Sequence, residues 1–341
     1  MSPSPISPET SSLLAGFVTG LRFCLTVGAI IMGAISMVCA AASLGGAWSA
    51  RLDIFSHFAL VWAGLGVASL ALSLASGSRV GGTLGLIGLV LASVLIVPEV
   101  LSASQTPQTT VTHPTLKVVQ FNLWGRNRDQ AATAQWIISQ NADILVLEEA
   151  FGGTEHILAS LRQSYPYVTT CRRSPCSTVV MSRQRPIASG DMMRLPGEVH
   201  LSGAWATFAS VRGPFTIVGA HFTWPIPAGP QRSQRRVMVR SAARFPRDRL
   251  IIAGDFNSAP WSFGLRRLDH ALGIERYSRA LPSWPAARYS RWNLWSPFPF
   301  MPIDHVYAGS SWRQVSVARG PRLGSDHYPL VVLLNDSAPE T

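Results

Sequence analysis

Leu250-Ile-Ile-Ala-Gly-Asp-Phe-Asn257 is the stretch of this chain that decides the fold. Its apolar residues predict a buried strand, and Gly254 permits a tight backbone where that strand ends. Asp255 and Asn257 follow two residues apart, so a carboxylate and an amide can point into one site and orient or deprotonate water there. The same residue types also cap ordinary turns, so this stretch alone leaves both interpretations open.

Five more polar clusters stand at the ends of strand-like apolar runs. Three follow such a run and two precede one, and they are Gln120-Phe-Asn122, Leu147-Glu-Glu149, Gly219-Ala-His221, Ile303-Asp304-His305 and Ser325-Asp-His327. Carboxylates, amides and imidazoles placed repeatedly at strand ends suggest one convergent site on the rim of a sheet. That chemistry suits a hard divalent cation and a phosphate ester.

Two clusters contain adjacent polar residues whose roles differ. Glu148 and Glu149 end a run whose other residues are apolar, where a carboxylate is costly unless it is solvated or binds a metal. Asp326 and His327 have diverging side chains, so we expect Asp326 to face a cation and His327 to face the phosphate. A histidine is a natural general base near neutral pH.

The other two histidines carry weaker signals. His221 closes an apolar run, where a single histidine is usually an ordinary polar residue with satisfied hydrogen bonds, and it gains weight only from the other clusters. Asp304 could orient His221 or another imidazole. We expect His305 to be structural.

From Leu116 onward the pattern alternates between strands and helices. The predicted strands span 117–121, 144–147, 177–181, 205–211, 215–220, 250–253, 306–308, 315–318 and 330–334, and the predicted helices 130–139, 155–162 and 231–244. Several strands succeed one another without a helix between them. This favours an α/β sandwich of two sheets with outer helices over a purely parallel sheet. Residues 288–302 are rich in aromatic residues and proline and predict a loop.

The first third of the chain is apolar. Residues 23–50, 54–78 and 80–98 contain no charged residue, and each run is long enough to cross a bilayer as a helix, which takes ~20 residues. Three buried helices of a soluble core are the alternative. The predicted organisation begins with a tail (residues 1–22), whose first 12 residues are disordered, and three transmembrane helices (23–101). A polar linker (102–115), a catalytic domain (116–336) and a short tail (337–341) follow.

Arginines and cysteines indicate the orientation. With the amino terminus inside the cell, Arg22 and Arg79 lie on the cytoplasmic side and Arg51 outside, which agrees with the positive-inside rule. We therefore expect a multi-pass protein of the inner (plasma) membrane with its catalytic domain periplasmic or extracytoplasmic. Cys171 and Cys176 flank a short loop, and a disulfide between them would suit that compartment; two unrelated thiols are the alternative.

The net charge of +11 belongs to the residues that follow the apolar third, because Arg22, Arg51 and Arg79 there are balanced by Glu9, Asp53 and Glu99. Such a surface favours anions without choosing among nucleic acid, small phosphates and lipid headgroups. A basic stripe recurs at four-residue spacing on one predicted helix, at Arg232, Arg236, Arg240 and Arg244. A solvated helix face is the preferred interpretation, and docking to anionic lipid is the alternative.

Six motifs, in this order, resemble the endonuclease/exonuclease/phosphatase superfamily over about residues 116–334. They read QFNLWG, ADILVLEEA, VGAHFTWP, AGDFNSAP, PIDHVYA and GSDHYPL, beginning at residues 120, 142, 218, 253, 302 and 324. The resemblance is closest to bacterial membrane-anchored members. It implies a four-layer α/β/β/α sandwich of two packed mixed sheets with outer helices, and it aligns Glu149, rather than Glu148, with the family's metal-binding glutamate.

The resemblance also implies a role for each site residue. Glu149 would bind Mg²⁺ or Mn²⁺ with help from Asn122 and Asp326, while Asp255 and Asn257 would position the attacking water and the phosphate. His327 would act as a base or as a hydrogen-bond donor, and His221, oriented by Asp304, would contact a phosphate oxygen. One departure is Trp124, which stands where some members have an extra acidic residue.

The expected protein is a membrane-anchored, metal-dependent phosphoesterase that hydrolyses phosphodiesters, with phosphomonoesters as a further option. Candidate partners are the lipid bilayer and a phosphate-ester substrate: a phospholipid headgroup, a small phosphodiester or nucleic acid. No protein partner is predicted. Two alternatives stay open, a nuclease that acts on extracytoplasmic DNA or RNA and a catalytically silent, membrane-tethered binding domain.

Overall fold

The computed structural model describes residues 8–105, 115–171, 176–286 and 298–337. The chain divides into two compact units, Met1–Pro98 and Glu99–Thr341. Most of the predicted loop over 288–302 lies outside the described residues, which resume at residue 298.

The first unit is helical. Its elements are α1 (Pro8–Leu44), α2 (Asp53–Ser56), α3 (Ala59–Ser76) and most of α4 (Arg79–Gln105). Three segments are long and apolar enough to cross a membrane, namely Ser12–Ala47, Ala59–Ser76 and Arg79–Ala103. They confirm the three predicted apolar helices.

Two boundaries of this unit differ from the prediction. Helix α1 begins at Pro8, inside the predicted tail, because a proline and then Glu9 suit the first turn of a helix. Helix α4 continues to Gln105, past the start of the predicted linker. The rest of that linker, residues 106–114, lies outside the described residues.

Small residues let the apolar helices approach one another closely. A Cβ added at Gly33 would come within 2.8 Å of Oγ of Ser69, and one added at Gly66 within 2.8 Å of the carbonyl oxygen of Gly85. Ser69 also donates a hydrogen bond to the carbonyl oxygen of Ala29 (2.7 Å). Close backbone contact and interhelical hydrogen bonds are typical of membrane helix packing.

The second unit contains the strands and four more helices. The strands are β1 (Thr115–Asn122), β2 (Ile144–Glu148), β3 (Tyr167–Thr170), β4 (Val179–Ser182), β5 (Ala188–Asp191), β6 (Ser202–Phe208), β7 (Phe215–His221), β8 (Leu250–Asp255), β9 (Glu275–Arg276), β10 (Asp304–Ala308), β11 (Trp312–Arg319) and β12 (Leu330–Asp336). They form two six-stranded sheets, with the orders β11-β12-β1-β2-β4-β3 and β5-β6-β7-β8-β10-β9. Both sheets are mixed, as the resemblance implied.

Three apolar cores separate four layers. The central core lies between the sheets and includes Val118, Val146, Ile217 and Ile251. Helices α5 (Gln130–Ser139) and α6 (Glu155–Leu161) cover the outer face of the first sheet. Helices α7 (Ala228–Ala242) and α8 (Phe263–Leu272) cover the outer face of the second sheet. The predicted α/β/β/α sandwich is confirmed.

Some elements of this unit differ from the prediction. The strand expected over 205–211 is found at Ser202–Phe208, and a turn follows it. Strands β3, β5 and β9 were not predicted because they are short and lie at sheet edges, where few residues are buried. Helix α8 was missed although Leu265, Leu268 and Leu272 recur at helical spacing on its buried face.

Arg232, Arg236 and Arg240 of the predicted basic stripe lie on the exposed face of α7, and Arg244 lies two residues past its end at Ala242. Arg236 donates hydrogen bonds through Nε (2.5 Å) and an Nη atom (2.6 Å) to the carboxylate of Glu198, and Arg244 stacks over Trp205. These contacts are made within the same unit, and Arg232 and Arg240 are exposed. The arrangement agrees with a solvated outer helix face.

Strand directions bring the polar clusters together. Strand β1 is parallel to β2, and β7 is parallel to β8, so the carboxyl ends of each pair share one edge. Strands β12 and β10 run antiparallel to β1 and β8, so they begin at that same edge. Clusters that follow strands and clusters that precede them therefore meet at one rim.

Candidate active site

Gly254 brings the end of β8 close to β7. Its φ is +157°, and a Cβ at this position would overlap the carbonyl oxygen of Ala220, so only glycine fits. The strand register then pairs Asp255 with His221 on one side and with Asp304 on the other. Asp255 therefore lies at the centre of the rim.

Asp255 is held by amide donors and flanked by two imidazoles. Its Oδ1 accepts a hydrogen bond from the backbone N–H of Asn257 (2.8 Å), and its Oδ2 accepts one from Nδ2 of Asn122 (3.0 Å). The Nε2 atoms of His221 and His327 lie 3.6 and 3.8 Å from the same Oδ2. Burial, opposed by the charge of His327, raises the pKa of Asp255 to about 7.

Asp304 and His327 form a buried pair, in which Oδ2 of Asp304 lies 2.8 Å from Nδ1 of His327. Burial alone would raise the pKa of Asp304, but the adjacent His327 outweighs it and lowers that pKa. Burial alone would lower the pKa of His327, but Asp304 and Asp255 raise it well above its usual value. At neutral pH the pair is a carboxylate and an imidazolium.

The partner of His221 is Ser177. Nδ1 of His221 lies 3.0 Å from Oγ of Ser177, and burial lowers the pKa of His221, so this imidazole is neutral. The expected pairing of Asp304 with His221 is therefore corrected. Strand β8 lies between β7 and β10, so Asp255 separates His221 from Asp304.

Ser177 is a site residue that sequence reasoning missed. It directly follows Cys176, which forms a disulfide bond with Cys171, as predicted. Oγ of Ser177 also lies 3.1 Å from Oγ of Ser202, at the start of β6. Nothing in the local sequence distinguishes this serine from others, because its contact with His221 spans 44 residues.

Glu148 and Glu149 point to different places. Glu149 has a φ of +49°, which turns its carboxylate to the rim, where it accepts hydrogen bonds from the backbone N–H of Gly125 (3.0 Å) and Nδ2 of Asn122 (3.4 Å). Glu148 is fully buried and accepts a hydrogen bond from Nε2 of Gln120 (2.8 Å). Burial, reinforced by Asp304, raises the pKa of Glu148 well above its usual value, which favours its protonated form.

Glu149 and Asp326 form a set of oxygen donors that fits a divalent cation. Oδ1 of Asp326 is buried and has no hydrogen-bond partner among the described residues, and its Oδ2 accepts only a long hydrogen bond from Nε1 of Trp284 (3.4 Å). Burial and then the negative charge of Glu149 raise the pKa of Asp326. Two neighbouring carboxylates, one of which has an oxygen without a hydrogen-bond partner among the described residues, are the donors that Mg²⁺ or Mn²⁺ takes.

Asn122 positions the carboxylates of the rim. Its Nδ2 donates to both Glu149 and Asp255, and its Oδ1 accepts a hydrogen bond from the backbone N–H of Trp124 (2.9 Å). Asn122 therefore holds the two carboxylates together, and its own oxygen is already bonded. The expectation that Asn122 also assists in metal binding stays a prediction, since an amide oxygen that accepts one hydrogen bond keeps a second lone pair.

A second group could also hold a cation by distance alone. Ligand atoms of Asp255, Asp304 and His327 lie within 4.8 Å of one another. However, Nδ1 of His327 and Oδ2 of Asp304 are already joined, and all three side chains are buried. An acid–base role suits this group better than metal binding.

Asn257 and His305 complete the rim. Asn257 has a φ of +46°, and its Nδ2 donates to the carbonyl oxygen of Phe222 (2.9 Å) and to Oδ2 of Asp255 (3.3 Å). His305 points away, with Nε2 2.8 Å from the carbonyl oxygen of Ser258, and burial lowers its pKa to about 3. His305 is structural, as predicted, and Asn257 supports Asp255.

A cleft of about 830 Å³ opens beside these residues. Glu149, Ser177 and His221 line it, together with the exposed side chains of Phe151 and Trp224. The rim thus combines oxygen donors for a cation, a carboxylate with a pKa near neutrality, one charged imidazole and one neutral imidazole. This combination can bind a phosphate ester and activate water.

The sequence profile of the Endonuclease/Exonuclease/phosphatase family matches residues 119–327. The chain belongs to this family. The endonuclease/exonuclease/phosphatase match includes all of the rim residues described above, and it ends within the last of the six motifs. A comparison with curated proteins returns no significant match.

Solved structures agree with the fold of the endonuclease/exonuclease/phosphatase family. A family protein from Beutenbergia cavernae DSM 12333 superimposes with a TM-score of 0.52 and 19% identity, over 66% of this chain and 72% of that one. TDP2 from D. rerio, complexed with a single-strand DNA product, superimposes with a TM-score of 0.54 and 16% identity, over 65% of this chain and 99% of that one. A mutant of beta toxin from Staphylococcus aureus, with bound magnesium ions, superimposes with a TM-score of 0.51 and 13% identity, over 66% of this chain and 100% of that one.

Membership of the endonuclease/exonuclease/phosphatase family makes this protein a metal-dependent hydrolase of ester bonds. The catalytically silent binding domain considered from the sequence is thereby set aside. The family also accounts for the divalent cation that the carboxylates of Glu149 and Asp326 fit.

Proposed function

We propose that this protein is a membrane-anchored phosphodiesterase that uses Mg²⁺ or Mn²⁺ held by Glu149 and Asp326. The observation that carries the proposal is the environment of Asp255, whose Oδ2 lies 3.6 Å from Nε2 of His221 and 3.8 Å from Nε2 of His327. A carboxylate between a neutral and a charged imidazole, beside oxygen donors for a cation, suits attack of water on a phosphate.

Asp255 accepts the proton of the attacking water. Its pKa of about 7 lets it be ionised near neutral pH and still be a useful base. Asn257 and Asn122 donate hydrogen bonds to its two oxygens, which fixes the direction of the free lone pairs. Asn257 in turn is fixed by its contact with Phe222, so the water-binding position is preorganised.

The two imidazoles stabilise the phosphate in different ways. His327, kept charged by Asp304, directs its Nε2–H to a phosphate oxygen and neutralises the charge that develops there. His221, neutral and oriented by Ser177, donates from Nε2 to a second oxygen. When bound, the divalent cation polarises the phosphoryl group and lowers the repulsion between it and Glu149.

Anchoring by three helices within residues 23–101 and a catalytic domain over 116–336 complete the proposal. In the proposed orientation the domain lies outside the cytoplasm, and the positive-inside rule supports it, because Arg22 and Arg79 flank the helices on the side opposite Arg51. The Cys171–Cys176 disulfide supports the same side, since disulfides persist in oxidising compartments.

A nuclease that acts on extracytoplasmic DNA or RNA is the second candidate. The net charge of +11 favours it, since polyanions are attracted to a basic surface. The two candidates share the same chemistry and differ only in what the cleft binds beyond the phosphate.

The test uses the full chain in lipid nanodiscs with bis(p-nitrophenyl) phosphate and Mg²⁺. We expect Glu149→Ala and His327→Ala each to lower kcat/KM by roughly 10²–10⁴-fold, and EDTA to abolish turnover until Mg²⁺ is restored. Matched controls are Glu275→Ala and His270→Ala, which alter exposed residues away from the rim and should keep full activity. Metal-independent turnover, or activity retained in both site variants, would refute the proposal.

A further inference from the structure

The cleft continues outward from the rim as an apolar surface. Phe151, Val199 and Trp224 line it with 52%, 43% and 56% of their surface exposed. Single exposed apolar residues are ordinary, but several around one cleft mark a binding surface. Glu149 and His221 line the same cleft, so this surface is continuous with the site.

Trp224, which lines the cleft, belongs to an aromatic row that starts at the site. Nε1 of Trp284 donates to Oδ2 of Asp326 (3.4 Å). The ring of Trp284 meets that of Trp224 edge to face, with centroids 6.3 Å apart, and it contacts Phe300 at 6.2 Å. An apolar group joined to a phosphate at the rim would therefore lie along Trp224.

The described part of the lining favours one class of phosphodiester. None of the described residues that line the cleft is Arg or Lys, although the chain carries 29 of them. A nucleic acid strand needs cations along its successive phosphates. A phospholipid has a single phosphodiester at the junction of its headgroup and its apolar part, which matches one polar rim followed by Phe151, Val199 and Trp224.

We propose that this cleft binds the apolar part of a membrane phospholipid while the rim cleaves its phosphodiester. The inference rests on the proposed phosphodiesterase function and adds a substrate class to it. Three helices that can cross a membrane give the tethered domain direct access to such a substrate.

The experiment compares two soluble esters, methyl and octyl p-nitrophenyl phosphate, below the critical micelle concentration of the octyl ester. Water releases p-nitrophenol from either one and leaves the alkyl phosphate. For the full chain in nanodiscs we expect kcat/KM to be at least about tenfold higher for the octyl ester, because each methylene removed from water contributes about a factor of four. Trp224→Ala and Phe151→Ala should reduce this octyl-to-methyl ratio to below about threefold, and Trp224→Phe should restore most of it.

Ile187→Ala is the matched control. Ile187 is 63% exposed and its backbone N–H bonds to Thr207, near the end of β6 farthest from the rim. A ratio that came from partition of the octyl ester into the bilayer would be unchanged in Trp224→Ala, whereas Ile187→Ala must keep the full ratio in either case.

Three outcomes would overturn the inference. Equal kcat/KM for both esters would refute the apolar subsite and leave the phosphodiesterase function intact. Faster cleavage of a single-stranded oligonucleotide than of the octyl ester, reduced by Trp224→Ala, would assign the surface to nucleic acid. No hydrolysis of either ester would refute the proposed function itself, and the inference with it.

Discussion

Asp255 is the residue on which the chemistry depends, because its environment shifts its pKa to about 7. A carboxylate at that pKa changes charge where an ordinary aspartate is always ionised. The pKa of His327 is also raised, because Asp304 and Asp255 favour its charged form, so His327 stays protonated well above its usual range. The active form has Asp255 ionised and His327 charged.

This pair predicts a bell-shaped pH profile. Activity should rise as pH increases through about 7, because Asp255 loses its proton there, and it should fall again at higher pH, where His327 loses its own. The measurement is kcat/KM of bis(p-nitrophenyl) phosphate from about pH 5 to about pH 10 at saturating Mg²⁺.

Asp304→Asn gives the profile its control. Without the Asp304 charge the pKa of His327 falls and that of Asp255 falls slightly, so both limbs should move to lower pH. The His270→Ala profile should match the parent. The assignment would be contradicted if activity rose near the ordinary pKa of aspartate, or if the Asp304→Asn variant had the same pH profile as the parent.

At the scale of elements, strand β1 links the two sheets beneath the rim. Nε2 of Gln120, on β1 of the first sheet, donates both to Glu148 (2.8 Å) and to Oδ1 of Asp304 (2.7 Å), which lies on β10 of the second sheet. Glu148 thus positions the side-chain amide of Gln120, and that amide positions Asp304. Asp304 in turn positions His327. A protonated glutamate at position 148 resembles a glutamine in shape and hydrogen bonding.

Glu148→Gln and Glu148→Ala should therefore behave differently. Gln keeps an oxygen acceptor for Gln120, so we expect kcat/KM and the free energy of unfolding to remain close to the parent values. Ala leaves a buried donor without its acceptor, which costs roughly 1–3 kcal/mol, and it releases Asp304. We expect kcat/KM to fall about tenfold, with the alkaline limb of the pH profile displaced.

Urea unfolding and the pH profile of each variant are the measurements. If Glu148→Ala lost stability but kept the parent kcat/KM and pH profile, Glu148 would be a packing residue only. Equal losses in Glu148→Ala and Glu148→Gln would show that its charge, rather than its shape, matters.

At the scale of the whole molecule, a helical unit that can span a membrane is followed by a hydrolase unit with a disulfide. The helices define an apolar segment but not a direction. Cys171 and Cys176 supply a chemical reporter of direction, because an oxidised pair is expected only outside the cytoplasm.

Thiol labelling in intact cells should therefore distinguish the two orientations. A membrane-impermeant maleimide should label neither cysteine before reduction and both after treatment with an impermeant phosphine. The Cys171→Ser/Cys176→Ser double variant corrects for Cys24 and Cys39, which lie on α1. Labelling that appears without reduction and only after cell lysis would place the domain in the cytoplasm.

Much of this protein could be predicted from local pattern. The predicted helix over 130–139 coincides with α5, because Asp129 caps its first turn and its apolar residues recur at helical spacing. Buried strands such as Leu250–Asp255 are recognisable because they consist almost entirely of apolar residues. The pairing of Asp304 could not be predicted, since the order of β7, β8 and β10 separates it from His221, and its contact with His327 joins the two sheets.

The sequence by itself determined the layers, the apolar helices and the set of polar residues at strand ends, because these depend on neighbours within a few positions along the chain. Only the tertiary structure decided which of those residues act on one another. Ser177 faces His221, Asp304 faces His327, and Glu148 turns inward while Glu149 turns to the rim. These choices follow from strand register and from the positive φ of Glu149, which join residues far apart in the chain and have no local signature.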